Sequence, residues 1–178
     1  MHSRKTFVTA SFFLGTAVLL WGGLAMSFNL ESDAFKNGGD IPKKFTCDGP
    51  DVSPALVWRD LPPATKSLAL IADDPDAPVG TWVHWVVYDM EPQTFQLREG
   101  VAKSEAIPGI GKQGLNDFRK IGYGGPCPPP GKPHRYFFKL YALDSMLNLK
   151  PRATKADVEQ AMKGHILAQT ELMGKYQR

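Results

Sequence analysis

The sequence predicts an all-β-dominated fold, a β-sandwich with a C-terminal α-helix. Three observations lead to this fold class. Fifteen prolines and seventeen glycines among 178 residues exceed what a helical bundle tolerates, and they favour strands joined by shaped turns. Several short apolar or alternating runs are bounded by turn-forming residues, as strands are. One run with helical spacing follows the last of them.

The first 26 residues differ in kind from the rest. Two basic residues precede an uncharged run at 6–21, and small residues follow at 23–25. This pattern predicts a secretory signal peptide in residues 1–26. The alternative is an uncleaved N-terminal membrane anchor, because the uncharged stretch continues to Leu30. Both interpretations place the domain of residues 27–178 outside the cytoplasm, in the periplasm or secreted.

The composition of that domain limits its partners. Without residues 1–26, 19 basic and 18 acidic residues remain, so the domain is nearly neutral. No basic run interleaved with aromatic residues is present, which argues against nucleic acid as a partner.

Three runs are predicted to be strands. Residues 67–72 form a nearly continuous apolar run, which is typical of a buried strand. Residues 81–90 are rich in β-branched and aromatic residues, and residues 134–143 alternate in character. A period of two places Trp82 with His84, and His134 with Tyr136, on common faces.

The C-terminal helix is predicted to start at Thr154, where Asp157 three residues later resembles a capping box. Apolar residues then recur at helical spacing as far as Tyr176. His165 lies on this apolar side, which predicts a packed rather than a functional residue. The recurring positions are Val158, Ala161, Met162, His165, Ala168, Leu172, Met173 and Tyr176.

A rigid loop follows the first predicted strand. In Asp74-Pro75-Asp76-Ala77-Pro78 each proline fixes its own φ and keeps the preceding residue extended. Such a loop holds the carboxylates of Asp74 and Asp76 in a fixed direction, which lowers the entropy cost of binding a ligand. The alternative is a turn in which both aspartates only bind backbone amides.

A second loop, residues 124–131, precedes the strand that starts at His134. Gly124 and Gly125 permit positive φ, so their N–H groups can turn inward as a nest for an oxyanion, and Pro126 stiffens the rim. The alternative is a rigid connection without a binding role.

His84 and His134 each lie early in a strand and beside one of these loops. If the two strands are neighbours, both histidines share one small pocket with the hydroxyl group of Tyr136. Such a pocket suits an anion, since an imidazolium binds it directly and a neutral imidazole donates one N–H. The alternative for each histidine is a core position satisfied by a backbone carbonyl.

Two cysteines, Cys47 and Cys127, remain in a domain predicted to be exported. An oxidising compartment favours a disulfide between them. Two free buried thiols, or a reactive thiol at Cys127 with His134 as its base, are the alternatives.

Taken in order, the two loops and their strands resemble the signature regions of the phosphatidylethanolamine-binding protein family, especially its bacterial Raf kinase inhibitor-like branch. The resemblance extends from about Ser27 to Tyr176. Further matching segments are residues 41–49, 53–56, 116–118, 122–125 and 162–165.

The resemblance implies a fold and a site. The fold is a large antiparallel sheet packed on a smaller one, with Greek-key connections and a helix beside the pocket. Family members bind phosphate, acetate or phosphorylethanolamine-like anions. The corresponding ligand-binding residues here are Asp74, His84, His134 and Tyr136, with Asp76, Trp82, Gly124, Gly125 and Pro126 as supports.

These observations predict a protein that binds small anions or phospholipid headgroups, with a protein partner as a further expectation. No cofactor, metal or catalytic residue is expected, and contact with a membrane is expected only through the N-terminal segment or lipid headgroups. One alternative is a metal-assisted or acid–base hydrolase that uses the aspartates and histidines. Another is an inhibitor of a protease or kinase with a vestigial pocket.

Overall fold

The computed structural model describes residues 27–178, and the predicted signal or anchor segment, residues 1–26, lies outside them. The described part of the chain forms two antiparallel sheets and one α-helix. The all-β fold class with a helix near the C-terminus is therefore confirmed. None of its helices is both long enough and apolar enough to cross a membrane within these residues.

In chain order the strands are β1 (Asn29–Glu31), β2 (Leu56–Arg59), β3 (Ser67–Asp74), β4 (Trp82–Met90), β5 (Gln96–Leu97), β6 (Ala106–Ile107), β7 (Gly111–Gln113), β8 (His134–Leu143) and β9 (Ile166–Tyr176). A short 3-10 helix covers Lys43–Phe45, and α1 covers Lys155–Met162. The small sheet has the order β1-β2-β5. The large sheet has the order β6-β7-β4-β3-β8-β9.

β3 lies at the centre of the large sheet and is buried along its whole length. Alternate residues of a strand face opposite sides, so β3 contributes to two cores. Leu68 and Leu70 pack toward the small sheet with Trp58. On the opposite side Ile71 joins a second core, which α1 closes with Val158. Burial on both faces explains why this run is apolar without alternation.

The predicted helix is correct at its start and wrong in its extent. Thr154 and Asp157 form the capping box, but α1 ends at Met162, and Gly164 follows with a φ of +81°. Residues 166–176 instead form β9, which pairs with β8.

The spacing of the apolar residues is compatible with both a helix and a strand. Ala168, Leu172 and Tyr176 are four residues apart, a spacing that fits one side of a helix and one face of a strand equally well. Ile166 and Leu167 are exposed rather than packed. His165 is also exposed, and its Nδ1 lies 2.8 Å from Oδ1 of Asp144, so its predicted packed position is wrong.

Candidate functional site

The order of the central strands brings the two histidines together. β4 and β8 lie on either side of β3, and Asp74, the last residue of β3, pairs with Trp82, the first residue of β4. His84 follows on β4, and His134 begins β8. These side chains and Phe118 line a pocket of about 190 Å³. Residues of the loops at 77–79 and 127–129 form the rest of its wall. We call it the histidine pocket.

Asp74 fixes the orientation of His134. The carboxylate is almost fully buried, with 3% of the residue exposed. Its Oδ2 lies 2.8 Å from Nδ1 of His134, and its Oδ1 accepts a hydrogen bond of 2.8 Å from the N–H of Asp76. The aspartate therefore forms the backbone turn that was given as the alternative, and its second oxygen holds a histidine side chain. Nε2 of His134 remains available to a ligand.

His84 is held in the same manner by a different acceptor. Its Nδ1 lies 2.6 Å from the carbonyl oxygen of Gly124. A carbonyl only accepts, so Nδ1 carries the hydrogen, and in the neutral ring Nε2 is an acceptor. Burial lowers the pKa of His84 from its usual 6.5, and the hydrogen bond to Gly124 and the charge of Asp74 oppose that shift. His84 is therefore a neutral acceptor at pH 7.

Tyr136 lies behind the pocket and does not line it. Its ring packs edge-on against the ring of His84, with 5.2 Å between the centroids. The residue is 2% exposed, and its hydroxyl group has no hydrogen-bond partner among residues 27–178. Burial and the nearby charge of Asp74 raise the pKa of Tyr136, so the hydroxyl keeps its proton. A buried hydroxyl without a partner is unusual in a folded protein.

The predicted oxyanion nest at Gly124 and Gly125 is wrong. The N–H of Gly124 donates to the carbonyl of His84, and the N–H of Gly125 donates to Oδ1 of Asp51. Neither glycine has a positive φ. Both positions require glycine because of close approach. A Cβ on Gly124 would lie 2.7 Å from the ring of Phe118, and one on Gly125 would lie 2.3 Å from the carbonyl oxygen of Phe45.

Two other predicted supports lie outside the pocket. Asp76 accepts three hydrogen bonds from Arg135, one from its backbone N–H and two from its guanidinium group. The hydrogen bonds from the Arg135 side chain lower the pKa of Asp76 to about 2. Pro126 is buried, and its carbonyl accepts from the N–H of Cys47. Both residues hold the loops in place and do not line the histidine pocket.

Cys47 and Cys127 form a disulfide bond. Both residues are exposed, and Cys127 lines the histidine pocket. The bond ties the proline-rich wall of the pocket to a segment 80 residues earlier in the chain.

Phe118 is a pocket residue to which the sequence assigned no role. Its ring packs edge-on against the rings of Trp82 and His84, with centroid distances of 5.5 and 5.4 Å. The preceding Asp117 anchors this loop to β4, since its Oδ2 accepts from the N–H of Val83 at 2.7 Å. Residues 116–118 belong to the resemblance described above, but an aromatic residue in a loop carries no signal that it faces a distant histidine.

The described residues contain no group of three or more histidine, cysteine, aspartate or glutamate side chains placed to hold a metal ion. The histidine pocket combines two fixed imidazoles, a buried carboxylate that holds one of them, and an aromatic wall. Chemically this arrangement can donate hydrogen bonds to an anion and accept one from it.

Comparisons with known proteins agree on one family. Residues 31–177 match the family model described as phosphatidylethanolamine-binding protein. A UPF0098 protein of Aquifex aeolicus is 56% identical over 83% of this chain and 86% of its own length. A UPF0098 protein of Methanothermobacter thermautotrophicus is 50% identical over 84% of this chain and 99% of its own.

Two solved structures are similar to the fold. CT736 of Chlamydia trachomatis, described as a homolog of phosphatidylethanolamine-binding protein, has a TM-score of 0.77 and 44% identity over 85% of this chain and 98% of its own. YbcL of Escherichia coli, described as a member of the mammalian family, has a TM-score of 0.78 and 31% identity over the same shares.

Proposed function

The chain belongs to the phosphatidylethanolamine-binding protein family, and from that premise we propose that it binds small phosphoryl anions, such as phosphate or phosphoethanolamine, in the histidine pocket. One observation carries the proposal. Nδ1 of His84 and Nδ1 of His134 are both bound to protein acceptors, so Nε2 of each ring is the atom left to a ligand.

The two rings offer different chemistry. His84 is buried and neutral, so its Nε2 accepts a hydrogen bond, for example from the P–OH of a singly protonated phosphate. His134 is paired with the buried carboxylate of Asp74, and its Nε2 donates a charge-assisted hydrogen bond to a phosphoryl oxygen when the ring is protonated. A partly protonated phosphomonoester has both of the groups that these nitrogens need.

The size and walls of the pocket fit a headgroup. A space of about 190 Å³ holds a phosphate and a short substituent, and it is smaller than typical pockets for drug-sized ligands. An ethanolamine ammonium would be placed against the aromatic wall of Trp82 and Phe118, since rings attract cations. Both oxygens of Asp74 and both oxygens of Asp76 already accept hydrogen bonds, so these carboxylates are less suited to that role.

We propose binding and not catalysis as the function of this pocket, and we place the domain outside the cytoplasm. The exposed Cys47–Cys127 disulfide supports export, because such bonds persist in oxidising compartments. Release of inorganic phosphate from a phosphomonoester by the protein, lost on His134→Ala, would instead favour the hydrolase.

Calorimetric titration with inorganic phosphate and O-phosphoethanolamine tests the proposal. We expect a Kd of roughly 1 mM or below, about −4 kcal/mol, and loss of binding in His134→Ala. His165→Ala is the matched control, because His165 also pairs with an aspartate but lies at an exposed position outside the histidine pocket. Binding that survives His134→Ala would place the ligand elsewhere. No binding by the native protein would favour a protein-binding surface.

A further inference from the structure

A second pocket adjoins the histidine pocket. It has a volume of about 170 Å³, and Lys103, Lys120 and Asn116 are among its lining residues. Phe118 and Cys127 line both pockets. The phenyl ring and the disulfide therefore separate two parts of one longer cleft. We call the second part the lysine pocket.

The volumes of the two parts together are large enough for one organic ligand. Each alone is the size of a headgroup, but together they hold about 360 Å³, which lies within the range for organic ligands. Phe118 is 37% exposed. Its ring offers an apolar surface along which a ligand can pass from one part to the other.

The charge of the lysine pocket comes from Lys120. Nζ of Lys103 lies 2.8 Å from Oδ2 of Asp51, which also lines this pocket, so the two charges offset each other. Lys120 is exposed and makes no ion pair with any residue of the described chain. The pocket next to the phosphoryl site therefore presents one uncompensated positive charge, which favours a second anionic group on the ligand.

We propose that the cleft binds an organic dianion. Its phosphoryl group lies between His84 and His134, a carboxylate or second phosphate lies at Lys120, and a short apolar or aromatic spacer lies against Phe118. The assignment rests on the proposed function of the histidine pocket and adds the class of molecule that carries the phosphoryl group.

Calorimetry with phenyl phosphate and 4-carboxyphenyl phosphate measures the contribution of the second charge, because the two probes differ only in the carboxylate. At low ionic strength we expect 4-carboxyphenyl phosphate to bind the native protein about three- to fivefold more tightly, as for an exposed ion pair. Lys120→Gln should bring this ratio to about one, and Lys120→Arg should restore it. Lys66→Gln is the matched control, because Lys66 is an exposed lysine outside both pockets.

The outcomes separate the two proposals. Equal affinity for both probes in the native protein, with phosphate still bound in the histidine pocket, would overturn the dianion and leave the proposed function standing. A ratio that Lys120→Gln does not change would overturn the assignment to the lysine pocket. Failure of every phosphoryl probe to bind would overturn the proposed function and this inference with it.

Discussion

Replacement of Asp74 by asparagine tests how the protein controls His134. The carboxylate accepts one hydrogen bond from the N–H of Asp76 and one from Nδ1 of His134, both at 2.8 Å. Asparagine has one acceptor oxygen and one donor nitrogen. If its oxygen keeps the bond to Asp76, its nitrogen faces Nδ1 of His134. The imidazole must then accept at Nδ1, and its hydrogen moves to Nε2.

This change of tautomer alters ligand binding in a measurable direction. In the native protein, neutral His134 carries its hydrogen on Nδ1, so Nε2 donates to an anion only after protonation. In Asp74→Asn, Nε2 donates without a charge. A charged hydrogen bond contributes about 1.5–3 kcal/mol and a neutral one about 0.5–1.5 kcal/mol. The loss of roughly 1 kcal/mol corresponds to about fivefold weaker binding.

Phosphate is the appropriate ligand for this measurement, because it supplies both an oxygen for Nε2 of His134 and a P–OH group for Nε2 of His84. Calorimetry at one pH compares the two proteins, and we expect the native protein to bind phosphate about fivefold more tightly than Asp74→Asn. If the variant kept the native affinity, Asp74 would not control which nitrogen of His134 carries the hydrogen, and the reasoning would be refuted.

Two further predictions concern stability. Reduction of the Cys47–Cys127 disulfide, or its replacement by two serines, should lower the free energy of unfolding by about 4–5 kcal/mol, because the bond spans 80 residues. Urea unfolding with and without reductant measures this loss. A loss below about 1 kcal/mol would contradict the prediction. The pKa of His84 is lowered from 6.5 by burial, so the unfolded chain takes up this proton first and stability should fall as the pH drops below 6.5. Unfolding of His84→Gln should show a weaker fall over the same range, and an identical slope would argue against a neutral His84.

Much of the site could be predicted because its residues lie at the ends of strands. Asp74, Trp82, His84 and His134 stand where a loop meets a strand, and the structure brings all four to one pocket. β3 pairs with β4 on one side and with β8 on the other, which brings these ends together although β4 and β8 are not themselves neighbours. Phe118 could not be found in this way, because its position depends on how its loop folds back onto β4.

The predicted nest failed for a related reason. The N–H groups of Gly124 and Gly125 donate to the carbonyl oxygen of His84 and to Oδ1 of Asp51, which are 40 and 74 residues away. Sequence shows that a glycine can turn its N–H inward, but the acceptor that the N–H meets depends on tertiary structure. The prediction of a long helix was wrong for a different reason. A four-residue spacing fits both a helix and a strand, and residues 166–176 form a strand because they pair with β8.

The buried carboxylate of Asp74 is compatible with the proposed anion site, because its oxygens are already bound by the protein. Both oxygens of Asp74 accept hydrogen bonds from the protein, so in the proposed complex the anion meets Nε2 of His134 and not the carboxylate. In the proposed complex Asp74 is therefore a positioning residue, and the Nε2 atoms of His84 and His134 contact the anion.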